Sequence, residues 1–223
     1  MPTDLRDAGG SVTIRRAKPD DMLAVARIYL AAFPDSVEQL HLERVRPRAV
    51  ADLMRIPLQA EPWSFFVADA GDRLIGYAIC PAHADRIWLA AIRRGLALRM
   101  LGRWLAGRYG LGLRSAVQAM SDKIHCWRGG RRRDTECPAR VLSIAVDPTA
   151  HGQGTGRQLL HEGLHYLQRE GAFRVRLEVR PHNEPAKRLY ESVGFRTVGT
   201  IHDTRGPWEV MLLAWEDYVD TRS

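Results

Sequence analysis

The chain has 223 residues, 45% of them hydrophobic, and a formal net charge of +7. This length fits one domain with an enlarged loop, and the apolar content is sufficient for a buried core. The first ten residues lack the apolar core of a signal peptide, and no uncharged apolar run is long enough to cross a bilayer, so we expect a cytoplasmic protein. The three cysteines, Cys80, Cys126 and Cys137, lack paired spacing, which argues against both a disulfide framework and a metal site.

The N-terminal part of the chain predicts a strand, two helices and two further strands. Residues 12–16 have the pattern of a strand, and Pro19 opens a helix that continues to Ala32. A second helical region covers about residues 37–56. Strands at 64–68 and 74–80 follow, separated by a Gly-Asp turn.

Residues 82–138 form a basic stretch with few acidic residues. Between positions 81 and 140 there are 13 Lys and Arg but only 4 Asp and Glu, and many of the arginines are mixed with large apolar residues. Three interpretations stay open: helices that pack over the core, with arginine stems lying on apolar surface; a surface for an anionic acceptor, an acidic carrier protein or a membrane face; and a nucleic-acid surface. The last is the least favoured, because no nucleic-acid reading motif accompanies the charge.

The most informative segment, residues 141–156, runs a β-branched strand into a turn with three glycines. A helical pattern follows, with leucines at positions 159, 160, 164 and 167. Free amides at a helix N-terminus, together with the helix dipole, favour a bound phosphate. The turn is neither a dinucleotide fingerprint, which needs glycine where Arg157 stands, nor a P-loop, which needs Gly-Lys-Ser/Thr.

This turn, His-Gly-Gln-Gly-Thr-Gly at 151–156, resembles the pyrophosphate loop of the GNAT superfamily of N-acetyltransferases, with His151 where that family has Arg or Gln. Residues 175–195 resemble the second motif of the same family, a strand followed by Asn-x-x-Ala-x-x-Leu-Tyr-x-x-x-Gly-Phe. The Leu-Glu-Val-Arg of that strand is similar to the bacterial acetyltransferases that modify the N-terminal alanine of a ribosomal protein.

The resemblance implies an α/β (α+β) GNAT fold. Its mixed central sheet has about seven strands, is flanked by helices, and is splayed at the cofactor cleft between strands 140–146 and 174–179. The last apolar strand is expected at 208–215. Residues 1–223 would then form a single acyltransferase domain, with 82–138 as a helical insertion between its third and fourth strands.

The same resemblance assigns roles to individual residues. The backbone of Ile144, Ala145 and Val146 is expected to pair with the pantetheine arm of acetyl-CoA, as an added strand does, and the Val146 amide would steady the thioester oxygen. The pyrophosphate would be held by the amides of seven consecutive residues, His151, Gly152, Gln153, Gly154, Thr155, Gly156 and Arg157. Asn183 is expected to contact CoA. Tyr190 is implied as the acid that protonates the leaving thiolate, and Glu178 as the base that takes the proton of the amine.

The leading functional prediction is transfer of an acetyl group from acetyl-CoA to a primary amine, on a small molecule or a peptide. The amine attacks the thioester directly, because no Cys or Ser lies in a nucleophile motif. Two alternatives remain: a long-chain acyltransferase that uses acyl carrier protein or acyl-CoA, and a non-catalytic module that binds acyl-CoA or scaffolds a complex. No metal is predicted, and a homodimer is left open.

Overall fold

The computed structural model describes residues 12–34, 46–93, 95, 102–103, 106, 137–203 and 206–220. Eight strands lie in this part of the chain: β1 (Thr13–Arg16), β2 (Phe65–Asp69), β3 (Leu74–Ile79), β4 (Arg140–Val141), β5 (Ser143–Val146), β6 (Arg174–Val179), β7 (Arg196–Asp203) and β8 (Gly206–Ala214). The helices in the same part are α1 (Met22–Ala32), α2 (Pro47–Ala60), α3 (Ala84–Arg93), α4 (Thr155–Arg169) and α5 (Glu184–Ser192), together with short 3-10 turns.

The strands form two four-stranded sheets, in the orders β1-β2-β3-β5 and β4-β6-β8-β7. The pairs are antiparallel except for β4 and β6, which run parallel. Because β4 and β5 are consecutive pieces of one strand, the two sheets join through it. With those pieces counted as one, the expected mixed architecture of about seven strands flanked by helices is confirmed.

The strand that joins the sheets is broken at Leu142, which corrects the expected uninterrupted strand 140–146. The Leu142 amide donates to the carbonyl of Ile79, although Ile79 is already the register partner of Ser143. Two residues of one strand therefore oppose one residue of β3, which is a β-bulge. Val141 still pairs with Leu177 of β6, but beyond the bulge β5 pairs with β3 and with no other described strand. We call the resulting gap between β5 and the end of β6 the fork.

Helices cover both faces of the joined sheets. On one face, α4 packs against β2, β3 and β5, and the buried core on this face includes Leu159, Leu164, Val175, Leu177 and Phe195. On the other face, α1 and α2 pack against β2 and β3 around a core that includes Met22, Val25, Met54, Val67 and Tyr77. The fork thus opens to two sides, the α4/α5 side and the α1/α2 side.

Helix α2 runs from Pro47 to Ala60 and carries Pro57 in its last turn, so the predicted end of the second helical region at about 56 was too early. Residues 35–45 lie outside the described residues. Of the basic insertion, α3 and a few isolated positions are described. Arg103 reaches 2.6 Å from the buried carboxylate of Asp52 in α2, so this part of the insertion contacts the domain core. None of the helices that the structure describes is long and apolar enough to cross a membrane.

Candidate active site

The edge of β5 that faces the fork carries open backbone groups. The amide of Asp147 donates to Ile75 of β3, and an antiparallel ladder alternates, so Ala145 and Ser143 also direct their backbone groups toward β3. The backbone groups of Ile144 and Val146 consequently face the fork. Of the three residues expected to pair with an incoming chain, Ile144 and Val146 have the required orientation, whereas Ala145 is used by the sheet.

The glycine turn lies between the end of β5 and α4. Gly152 and Gly154 have positive φ angles of 80° and 74°, a left-handed conformation that side chains with a Cβ rarely adopt. The first described hydrogen bond of α4 runs from Gln158 to the carbonyl of Gly154, which leaves the amides of residues 155–157 without helical partners. Gly156 lies between two elements of the site, since a Cβ built on it would be 3.6 Å from both Val146 and Leu189. An anion is therefore favoured beside the open edge of β5.

Asp147 fastens the start of this turn. Its carboxylate accepts hydrogen bonds from the amide and the hydroxyl of Thr149, at 2.9 and 2.7 Å. These two bonds hold the pKa of Asp147 below its ordinary value, and the bond from the hydroxyl has the larger effect. Burial of the carboxylate opposes the shift. The loop therefore starts from an anchor that depends on an ionised carboxylate.

His151, the departure from the family pattern, lies against the open edge. Its Nε2 is 3.1 Å from the carbonyl oxygen of Val146, so this nitrogen carries the proton and donates. The imidazole is thus hydrogen-bonded to the Val146 carbonyl, a backbone acceptor on the open edge of β5. Nothing in the sequence pattern signalled this contact, because it joins residues on opposite sides of a turn.

Helix α5 holds two further predicted residues. Asn183 is the N-cap, and its side-chain oxygen accepts a hydrogen bond from the amide of Ala186 at 3.3 Å. Tyr190 is 7% exposed and packs edge-on against Phe195, with ring centroids 5.9 Å apart. Burial raises the pKa of Tyr190 above its ordinary value, and the Cys80 thiol adds to the shift. The phenol is therefore protonated at neutral pH.

Glu178 is the first residue of β6 beyond the last pair with β4, so it stands at the mouth of the fork. Its Oε1 lies 2.8 Å from Arg176 and 3.2 Å from Arg140. Arg176 and Glu178 alternate with Leu177, which belongs to the core beneath α4, so both point toward the α1/α2 side. The carboxylate is thus fixed in place by two guanidinium groups.

The structure brings the glycine turn, the open edge of β5 and Glu178 to one fork, whereas Tyr190 lies in the buried core and Asn183 caps α5. The glycine turn and Tyr190 belong to the α4/α5 side, and Glu178 belongs to the α1/α2 side. Sequence reasoning missed Ser143 and Tyr77, whose hydroxyl oxygens are 2.9 Å apart on the α1/α2 side. Among the described residues, no group of three His, Cys, Asp or Glu side chains could hold a metal ion.

Comparisons with known proteins identify the fold and the family that this chain resembles. The crystal structure of PH1933 from Pyrococcus horikoshii OT3 has a TM-score of 0.60 at 17% identity, over 92% of this chain and 98% of that chain. The acetyltransferase (GNAT) family matches residues 122–195. The chain therefore carries a GNAT acetyltransferase domain.

Two curated relatives represent different members of this class. The mycothiol acetyltransferase of Thermomonospora curvata is 31% identical over 191 residues, which cover 82% of this chain and 44% of that protein. The [ribosomal protein bS18]-alanine N-acetyltransferase of Escherichia coli is 46% identical over 57 residues, which cover 26% of this chain and 38% of that protein. The chain thus matches less than half the length of each of these relatives.

Proposed function

We propose that this protein is an N-acetyltransferase that moves the acetyl group of acetyl-CoA to a primary amine by direct attack. The observation that carries the proposal is the open edge of β5 next to the N-terminus of α4. A pantetheine arm has amide groups that can pair with the Ile144 and Val146 backbone, and the pyrophosphate attached to it would reach the free amides of residues 155–157.

The two sides of the fork suit the two proton transfers of the reaction. On the α1/α2 side, Glu178 accepts a proton from the ammonium form of the acceptor, which yields a nucleophilic amine. The amine attacks the thioester carbon in the fork, the N–C bond forms and the C–S bond breaks. On the α4/α5 side, the protonated phenol of Tyr190 supplies a proton to the departing thiolate, and the proton released by the new amide replaces it.

The described part of the basic insertion supports one domain rather than two. The ion pair between Arg103 and Asp52 ties residues within 82–138 to α2, on the acceptor side of the sheets. We therefore treat 1–223 as a single acyltransferase domain and 82–138 as an insertion that packs over it. The acceptor is proposed as a small-molecule or peptide amine, because the two relatives are named for mycothiol and for an alanine of a ribosomal protein.

The first test measures donor binding by calorimetry, with acetyl-CoA and with palmitoyl-CoA, for the wild type and for Gly156→Glu. A Cβ at this position would make only ordinary contacts of 3.6 Å, so the fold should tolerate the change while a carboxylate enters the anion site. We expect acetyl-CoA affinity to fall at least tenfold, about 1.4 kcal/mol.

Gln168→Glu is the matched control. It adds the same charge to an exposed position of the same helix, about 18 Å further along at 1.5 Å per residue. Equal loss in both variants would show that charge on α4, and not the phosphate site, controls affinity. A wild type that binds neither donor would contradict the proposal, and a strong preference for palmitoyl-CoA would favour the long-chain alternative.

Transfer is then measured as release of the CoA thiol, with product masses, for a hexapeptide that begins with alanine and for glucosamine. Acetylation of either on its amine supports the proposed reaction and identifies the acceptor class. Donor binding without transfer to any amine would favour the non-catalytic module.

A further inference from the structure

A hydrogen-bonded hydroxyl pair, Tyr77 and Ser143, lies on the α1/α2 side of the sheets and has no part in the reaction as described above. Tyr77 in β3 is fully buried in the core beneath α1 and α2, and its hydroxyl lies 2.9 Å from Ser143 Oγ. A phenylalanine could fill the same apolar space without a polar atom that requires a partner. The Tyr77 hydroxyl instead has Ser143 as its hydrogen-bond partner, and this bond constrains the Ser143 side chain.

The register places the Ser143 side chain on the α1/α2 side. Ser143 is the partner of Ile79, and Ala145 is the partner of Tyr77, and directly opposed residues share a face of the sheet. Ile79, Tyr77 and Ala145 all belong to the core beneath α1 and α2. Ser143 is only partly buried, whereas Tyr77, Ile79 and Ala145 are buried.

Ser143 is also the first residue after the bulge, where the two sheets separate. Glu178 stands across the fork on the same side, one residue past the last pair of β4 with β6. An amine that enters from the α1/α2 side to meet a thioester in the fork therefore passes between a serine hydroxyl and a carboxylate.

We propose that Ser143, oriented by Tyr77, accepts a hydrogen bond from the acceptor amine and aims its lone pair at the thioester. Glu178 takes the first proton, and one of the two remaining N–H groups of the amine donates to Ser143 Oγ. The buried phenol of Tyr77 donates to the same oxygen and holds the side chain in one rotamer. Ser143 then touches the substrate, and Tyr77 acts as a positioning residue through it. This inference rests on the proposed function.

Burial raises the pKa of Tyr77 above its ordinary value, and the nearby phenols of Tyr29 and Tyr190 add to the shift, whereas the Ser143 hydrogen bond opposes it. Tyr77 therefore stays protonated over the range in which an amine acetyltransferase would be assayed. Its hydroxyl is a constant donor, and it does not compete with Glu178 for the proton of the amine.

The test compares acceptor kinetics, donor affinity and stability across four single variants and one double variant. Ser143→Ala is expected to lower kcat/KM for the acceptor about tenfold with an unchanged Kd for acetyl-CoA, and Tyr77→Phe to lower it by a smaller factor. Ser143→Thr keeps the hydroxyl and should retain most of the activity. Tyr166→Phe is the matched control, because it removes another tyrosine hydroxyl, one that donates to Glu61 at 2.8 Å.

The double variant Tyr77→Phe/Ser143→Ala separates function from stability. Ser143→Ala alone leaves a buried hydroxyl without its partner and lowers the denaturation midpoint, whereas removing both hydroxyls restores it. We expect kcat/KM to stay low in the double variant although stability recovers. Recovery of kcat/KM together with stability would overturn the role of Ser143, and so would unchanged acceptor kinetics in Ser143→Ala. Neither result would contradict the proposed function.

The assays use the full chain, with the alanine-initiated hexapeptide and glucosamine as acceptors. Failure of the wild type to bind acetyl-CoA or to acetylate either amine would contradict the proposed function itself, and this inference would fall with it. Transfer by the wild type that is insensitive to Ser143→Ala would leave the proposed function intact and remove only the role of Ser143.

Discussion

The contact between Gly163 of α4 and Cys80, directly after β3, sets how closely the phosphate-binding helix approaches the sheet. A Cβ at position 163 would overlap the Sγ of Cys80 and lie 3.1 Å from its Cβ. Both residues are buried, so neither can move into solvent. Gly163→Ala should therefore force the helix away from the strand.

The magnitude follows from two opposing effects. Overpacking of a core costs about 1 to 3 kcal/mol, and replacing a helical glycine by alanine returns up to about 1 kcal/mol. Because the overlap with the buried sulfur is severe, the upper part of the overpacking range applies, and we expect a net loss of about 2 kcal/mol in the free energy of unfolding. Because the glycine turn leads directly into the N-terminus of the same helix, acetyl-CoA should also bind less tightly.

Urea denaturation of a double-mutant cycle tests this reasoning. Cys80→Ala removes the sulfur atom that the new methyl group meets, so the double variant should recover part of the loss, with a coupling of about 0.5 to 3 kcal/mol. Gly102→Ala is the control, because position 102 is exposed and a Cβ there would meet no atom of the described residues within 4 Å. Additive effects of the two changes, or a Gly163→Ala variant as stable as the control, would refute the close-packing argument.

Two further predictions concern the reaction and the loop. Tyr190→Phe keeps the ring that packs on Phe195 but removes the acid, so kcat should fall about 100-fold with the Kd for acetyl-CoA unchanged; a loss that appears only in donor Kd would assign Tyr190 to binding. The pKa of Asp147 is lower in the folded protein than in the unfolded chain. Its ionised carboxylate therefore stabilises the fold fully above about pH 4, and this stabilisation is lost as the pH falls through the pKa of the folded state. The denaturation midpoint and the donor affinity should both decline on acidification, and Asp147→Ala should weaken that decline; an identical acid profile in the variant would contradict the anchoring role.

The local elements of the site could be predicted from the sequence because their signals are local. Glycines at 152 and 154 adopt left-handed angles, as a tight strand-to-helix turn requires, and α5 begins after Asn183 because asparagine is a good N-cap. Strand β6 has the expected bounds, since an apolar run bounded by turns fits a buried strand.

The features that were missed depend on pairing between distant segments. Nothing in residues 140–146 marks Leu142 as a bulge, because all of them suit a strand and the break arises from a change of partner. The Ser143 and Tyr77 contact requires the register of β3 with β5, which sequence periodicity does not supply. Strand β7 was not assigned bounds, since six of its eight residues are exposed or polar and give no apolar alternation.

The bulge at Leu142 also has a consequence for how the ligand and the fold depend on each other. Beyond Val141 the two sheets share no described strand pairing. An extended donor lying along β5 would therefore act as an added strand in this gap. Its binding free energy would then add to folding free energy by linkage, about 2.7 kcal/mol at a ligand concentration of 100 times Kd. Amide hydrogen exchange should slow at Ile144 and Val146 when the donor binds, while the amides of Ser143 and Ala145, already bonded to β3, change little.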